Sequence, residues 1–140
     1  MPIYNIVPCP KPRMTRKDKW AKRPCVLRYR AFKDECRIRN VELPDVGIRV
    51  IFGIPMPKSW SKKKRQEMKY KPHLQTPDLD NLEKALCDAV LDDDSRVWNM
   101  WGSKIWSEEG FIFILPITKQ DDLLMNTEQI LEEHRQANLV

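Results

Sequence analysis

Residues suited to binding a hard cation recur across one short stretch of this 140-residue chain. Asp78 and Asp80 stand two apart, Lys84 and Asp88 follow at helical spacing, and Asp92, Asp93 and Asp94 close the run. Leu82, Leu86, Ala89 and Val90 form one stripe, which predicts a helix over residues 79–91 with that side against a core. Asp80, Lys84 and Asp88, spaced i, i+4, i+8, then occupy the opposite side. Side chains two apart share a face in extended backbone, so Asp78 and Asp80 can point at one place if the chain between them is still extended. Mg2+ takes oxygen ligands, keeps several waters, and needs only one or two carboxylates beside a substrate phosphate. The chemistry such a set supports is metal-assisted hydrolysis of a phosphodiester, with Lys84 on a phosphate oxygen or a developing negative charge.

A plainer chemistry fits the same letters. Asp78 or Asp80 can cap the helix, and Asp80-x-x-Glu83 matches a capping box with Asp in place of Ser or Thr. Asp80 and Lys84 can form a surface ion pair worth well under ~1 kcal/mol. The three aspartates can be a solvated turn. Against this, carboxylates just past a helix C-terminus meet the negative pole of its dipole, a penalty that a bound cation removes.

The elements that must position these groups lie in a chain with a lopsided charge. Residues 1–71 carry 20 Lys and Arg against 6 Asp and Glu, a net of +14, whereas residues 72–140 carry 5 against 14, a net of −9. A basic half suits a polyanion and an acidic half suits cations. One basic cluster contains Lys11, Arg13, Arg16, Lys17, Lys19, Lys22 and Arg23; a second contains Lys58, Lys62, Lys63, Lys64, Arg65, Lys69 and Lys71. Both read as phosphate-binding surfaces. No helix-turn-helix, zinc-finger or RNP pattern accompanies them, which favours recognition of backbone shape over base sequence. Trp20 and Tyr70 sit inside the basic stretches, where they either stack on unpaired bases or pack against the fold.

Cys9, Cys25, Cys36 and Cys87 form no C-x-x-C pair and have neither His73 nor His134 nearby in sequence, so a zinc site is not expected. No secretory leader is legible, and reduced thiols in the cytoplasm are the expectation. No apolar run approaches the ~20 residues of a membrane span.

Pattern and punctuation predict a strand over 3–7, a helix from Pro24 to about Asn40 with Leu27, Ala31 and Cys36 on one face, and a strand over 46–54. Ser59 reads as the N-cap of a short charged helix through Met68. After the 79–91 helix, residues 96–107 and 111–117 read as a β-hairpin turning at Glu108, Glu109 and Gly110. Trp98 and Trp106 then share one face and Trp101 the other, which predicts a core on one side and a subunit interface on the other. The whole reads as one α/β (α+β) domain, a small mixed β-sheet flanked by helices, over residues 1–120. Residues 121–140 read as a polar tail, helical or frayed.

Asp78-Leu-Asp-Asn-Leu-x-Lys-Ala-x-x-Asp-Ala, followed by Asp93-Asp94-Ser-Arg-Val, resembles the RusA family of Holliday-junction resolvases. The likeness is specific over residues 77–97. It extends loosely over 3–117, where Pro8-Cys-Pro-Lys-Pro-Arg-Met-Thr-Arg resembles the family's proline-rich basic opening. The resemblance implies a homodimer that binds four-way DNA junctions and nicks opposing strands symmetrically, with Mg2+ as cofactor and Mn2+ able to substitute. It implies Asp78, Asp80 and Asp94 as acidic metal ligands and Lys84 as the essential lysine. Only five residues separate Asp88 from Asp94, fewer than is common in the family, so Asp93 stands as the alternative third ligand. Two other functions remain open at this point: a branched-DNA-binding module without catalysis, and a metal-dependent nuclease for flaps or RNA.

Overall fold

In a computed structural model, residues 3–13, 15–16, 23–45, 47–117, 131–133 and 135–137 are described. The elements are β1 (Ile3–Tyr4), α1 (Pro24–Ile38), β2 (Gly47–Pro55), α2 (Lys62–Met68), α3 (Leu79–Val90), a 3-10 turn (Asp94–Arg96), β3 (Met100–Ser107) and β4 (Phe111–Ile117). One mixed sheet, in the order β1-β4-β2-β3, carries the helices, as the α+β reading predicts.

β2 lies in the interior of the sheet because its sequence suits burial on both edges. It pairs parallel with β3 and antiparallel with β4. Its Ile48, Val50, Phe52 and Ile54 alternate onto one face and are buried, with Ile112 and Ile114 of β4 beside them. α1 and α3 cover that face. α1 begins on Pro24, whose fixed φ suits a first helical turn, and buries Val26, Tyr29, Phe32 and Cys36. α3 buries Leu82, Ala85, Leu86 and Cys87.

Several boundaries differ from the sequence reading. The expected hairpin does not form, because β3 and β4 flank β2 instead of pairing with each other. β3 starts at Met100 instead of residue 96, since Asp93 and Ser95 close the 3-10 turn first. Trp98 therefore precedes the strand, while Trp106 is buried and Trp101 points out, 62% exposed. β1 stops at Tyr4, where the Ile6 amide donates back to the Tyr4 carbonyl (2.9 Å) and curls the chain out of the sheet. Leu27 and Ala31 are exposed, because the buried stripe of α1 runs through Val26, Tyr29 and Phe32. Ser61, not Ser59, caps α2, accepting from the Lys64 amide at 3.2 Å. In the tail, 131–133 and 135–137 are helical; Val46, Lys17, Lys19, Trp20, Lys22, His134 and the residues 118–130 lie outside the described set.

The outer face of the sheet carries Arg49 level with Trp101 and Leu115, and Ile51 level with Ser103 and Phe113. Arg49 lies over the Trp101 ring at 4.5 Å. These side chains stay partly or largely exposed while the opposite face is closed.

Candidate active site

Parallel pairing of β2 and β3 requires a long crossover, and that crossover contains every acidic residue of the candidate site, Asp94 included. Residues 70–73 first run along the free edge of β3. The Tyr70 amide donates to the Trp106 carbonyl (2.8 Å), Trp106 donates to Lys71 (3.0 Å), and His73 donates to Lys104 (3.1 Å). The chain then crosses to α3.

Asp78 is the N-cap residue of α3 and is still extended (φ −69°, ψ 145°), so it and Asp80 straddle the entry to the helix. Its side chain makes no capping hydrogen bond. The capping-box reading of Asp80 and Glu83 does not hold, because Asp80 lies inside the first turn. Glu83 instead lies over Gly102 of β3, where a Cβ would come within 2.3 Å of its Oε1; the missing side chain lets α3 sit close on the sheet. Burial, and then the Asp80 charge, pushes the Glu83 carboxyl up. Asp80 and Lys84 pair at 3.7 Å with both side chains more than half exposed, so the pair itself adds little stability.

Lys84 and Asp88 face a second wall built by the proline-rich opening. Lys11, Pro12, Arg13, Asn81, Lys84, Asp88 and Asp94 line an open cleft of about 640 Å³. The Lys11 amide donates to the Asn81 carbonyl (3.3 Å), and its ammonium reaches Asp88 at 2.5 Å. Tyr29 of α1 donates its hydroxyl to the same Asp88 oxygen at 3.0 Å. Burial alone would raise the Asp88 carboxyl; the hydrogen bonds from Lys11 and Tyr29, with the charges of Lys11 and Lys33, outweigh it and hold it below its ordinary value. Burial, the Asp88 hydrogen bond and its charge raise the Tyr29 hydroxyl, so it stays a neutral donor.

That arrangement carries a prediction. A carboxyl depressed by folding contributes stability that is present above its unfolded value, 3.8, and lost as pH falls through the folded one. Asp88→Ala costs about 1.5–3 kcal/mol near neutral pH, the worth of hydrogen bonds to a charged group. The variant also loses part of the acid limb of stability below about pH 4, read by urea midpoints across pH. Wild-type and variant curves that stay parallel through that range would disprove the linkage.

The three terminal aspartates separate. Asp92 lies in a groove with Arg37 and Asn40, on the α1 side. Asp93 accepts from the Ser95 amide at 3.0 Å, and its hydrogen bonding with Ser95 holds its carboxyl below the ordinary range. Asp94 opens onto the cleft with Lys84 and Asp88. Cys87, buried beneath, has its thiol pushed up to about 11 by burial, then by Asp94, Glu83 and Asp88. All four cysteines are free thiols.

Among the described residues no three His, Cys, Asp or Glu side chains gather closely enough to hold one ion between them. Asp78 and Asp80 do not line the cleft that Asp94 faces. The donors are nonetheless all oxygen, exposed, and in Asp78 free of a capping bond. They fit a hydrated hard cation completed by water and substrate phosphate, and do not fit a closed protein cage.

The basic residues divide as well. Arg13 lines the cleft, and Arg16 is exposed. Lys62, Lys63 and Lys64 project from α2, with the Lys64 ammonium 4.3 Å from the Trp60 ring centroid. Arg65 turns inward to the Pro57 carbonyl (3.1 Å) and Glu108 (3.8 Å). Lys69 lies over the exposed Tyr70 ring, and Lys71 follows, also exposed. Tyr29, Asn81 and Lys104 escaped the sequence reading; the signal for Lys104 was a lysine two residues from Gly102 and from Trp106 on a strand face that otherwise reads as core.

A small α+β domain with exposed carboxylates, one helix lysine and a basic opening on a shared cleft has the make-up of a phosphodiester-cleaving hydrolase. The chain matches the family described as endodeoxyribonuclease RusA over residues 4–115, and it belongs to that family. Its relatives are nucleases that act on branched DNA and resolve Holliday junctions. No curated protein and no solved structure gives a significant match. No helix among the described residues is long and apolar enough to cross a membrane.

Proposed function

We propose that this protein is a Mg2+-dependent resolvase that cuts four-way DNA junctions by paired, symmetric nicks in recombination and repair, working among the reduced thiols of the cytoplasm. The observation that carries the reading is the cleft where Lys84 and Asp94 meet Lys11 and Arg13. Cations at its rim draw the phosphate backbone in, and the carboxylates beside them would repel it unless a cation were held there. Asp78, Asp80 and Asp94 would hold the ion or ions. Bound there, Mg2+ would supply an acidified water and polarise the scissile phosphate. Lys84 stabilises charge on the phosphate as it develops. Asp88 anchors Lys11 and Tyr29 and so fixes the wall opposite Lys84. Arg13 at the cleft, together with Arg16, Lys17, Lys62, Lys63, Lys64, Lys69 and Lys71, binds DNA backbone.

Symmetric nicking needs two active sites, and the outer sheet face suits pairing of two copies. Trp101, Ile51, Phe113 and Leu115 form a partly exposed apolar surface there. Sedimentation at micromolar concentration gives a dimer; a monomer counts against the paired mechanism.

The direct test is a panel of junction, flap, duplex and RNA substrates with and without Mg2+. Junctions are nicked in Mg2+ alone and well ahead of the rest. Binding without nicking would make the protein a junction-binding module, and preference for flaps or RNA would make it a different nuclease.

A further inference from the structure

The edge pairing of residues 70–73 with β3 ends at His73, and Leu74, Gln75 and Thr76 are exposed. Between that point and the first turn of α3, Lys104 takes over. Its ammonium donates to the Gln75 carbonyl and, at 2.7 Å, to the Pro77 carbonyl. Lys104 projects from the face of β3 that also holds Gly102, on which Leu79 and Glu83 of α3 rest. The same lysine therefore ties the sheet to the last residues before the helix.

The position of those two carbonyls decides what the tie does. A peptide unit is planar, so fixing the Pro77 carbonyl also fixes the amide nitrogen and Cα of Asp78. The Asp78 side chain starts at that Cα, with its carboxylate carbon two bonds beyond. Asp78 has no capping hydrogen bond of its own to orient it. Hydrogen bonds from an ammonium are roughly twice as strong as neutral ones, so two of them can hold a four-residue crossing that lacks ladder bonds.

We propose that Lys104 is a positioning residue for the metal site, setting the direction from which Asp78 meets Asp80. This rests on the reading of Asp78 and Asp80 as metal ligands. Loss of such a support weakens metal binding about 10–100-fold, as for other groups that orient ligands without touching the ion.

The test uses the full chain and Mn2+, with free Mn2+ read by electron paramagnetic resonance and no DNA present. Lys104→Met binds Mn2+ about 10–100-fold more weakly than wild type. It needs correspondingly more Mg2+ for half-maximal junction nicking, while its junction affinity in EDTA stays within about twofold. Lys104→Arg keeps N–H donors for both carbonyls and recovers most of the Mn2+ affinity. If Lys104→Met gives no cooperative melt, Lys104→Gln takes its place in the same titration; failure of both to fold assigns Lys104 to global stability and overturns the inference. Wild-type Mn2+ affinity in the folded variant overturns it too. An arginine variant as weak as the methionine one traces the effect to packing and also overturns it. A wild-type protein that binds no Mn2+ defeats the metal-site reading itself, and this inference with it.

Discussion

Asp80→Asn abolishes junction cleavage and leaves junction binding intact or stronger. The substitution keeps the size of the side chain and its place in the first turn of α3, while removing a negative charge. As the metal ligand proposed above, Asp80 would supply stabilisation that matters most when charge builds on the phosphate, so kcat falls by about 10²–10³-fold or more, the scale for losing one preorganised electrostatic contact. Binding moves the other way for two reasons. The carboxylate repels the DNA backbone, and it holds the Lys84 ammonium at 3.7 Å. Its removal frees Lys84 for a phosphate oxygen. Nicking rates in Mg2+ and junction affinity in EDTA measure the two effects separately. Cleavage at the wild-type rate defeats the ligand role, and equal loss of binding and cleavage would make Asp80 a structural residue.

Asp94→Asn and Asp93→Asn have opposite outcomes, although the residues are neighbours. Asp94 faces the cleft shared with Lys84 and Asp88. Its substitution lowers kcat by about 10²–10³-fold. Asp93 already accepts from the Ser95 amide, closing the turn that leads into the 3-10 segment. An asparagine side-chain oxygen keeps that bond, so Asp93→Asn stays within about threefold of wild type in kcat. The pair is measured on one junction substrate at saturating Mg2+. A silent Asp94→Asn beside an inactive Asp93→Asn would move the third ligand to Asp93.

What could be read from the chain was whatever a short stretch decides alone. The stripe Leu82, Leu86, Ala89 and Val90 announced α3 to within one residue, because helical periodicity is a local property. The spacing of Asp80 and Lys84 followed from the same periodicity and that of Asp78 from the extended residue before the helix, and their pattern pointed to the family that the comparison then showed. The alternation in β2 and the charge split between the halves were equally local. Sheet order was not. Residues 96–117 have the letters of a hairpin, yet β2 comes between the two strands, because pairing is settled by which strand best tolerates burial on both edges. The side of α1 that faces the core was misjudged by one position, since a basic helix with a noisy pattern takes its phase from what it packs against. Asp88 meets Tyr29 across 59 positions and Pro77 meets Lys104 across 27. No spacing rule reaches that far. The sequence by itself determined the carboxylates and lysine of α3 and the chemistry they suit, since helical geometry and side-chain chemistry act over a few residues. Only the tertiary structure decided that Lys11 and Tyr29 close on Asp88, that Lys104 holds the approach to Asp78, and that Asp94 turns to the cleft while Asp93 turns to its own backbone. Those choices depend on which distant surfaces the folded chain brings into contact.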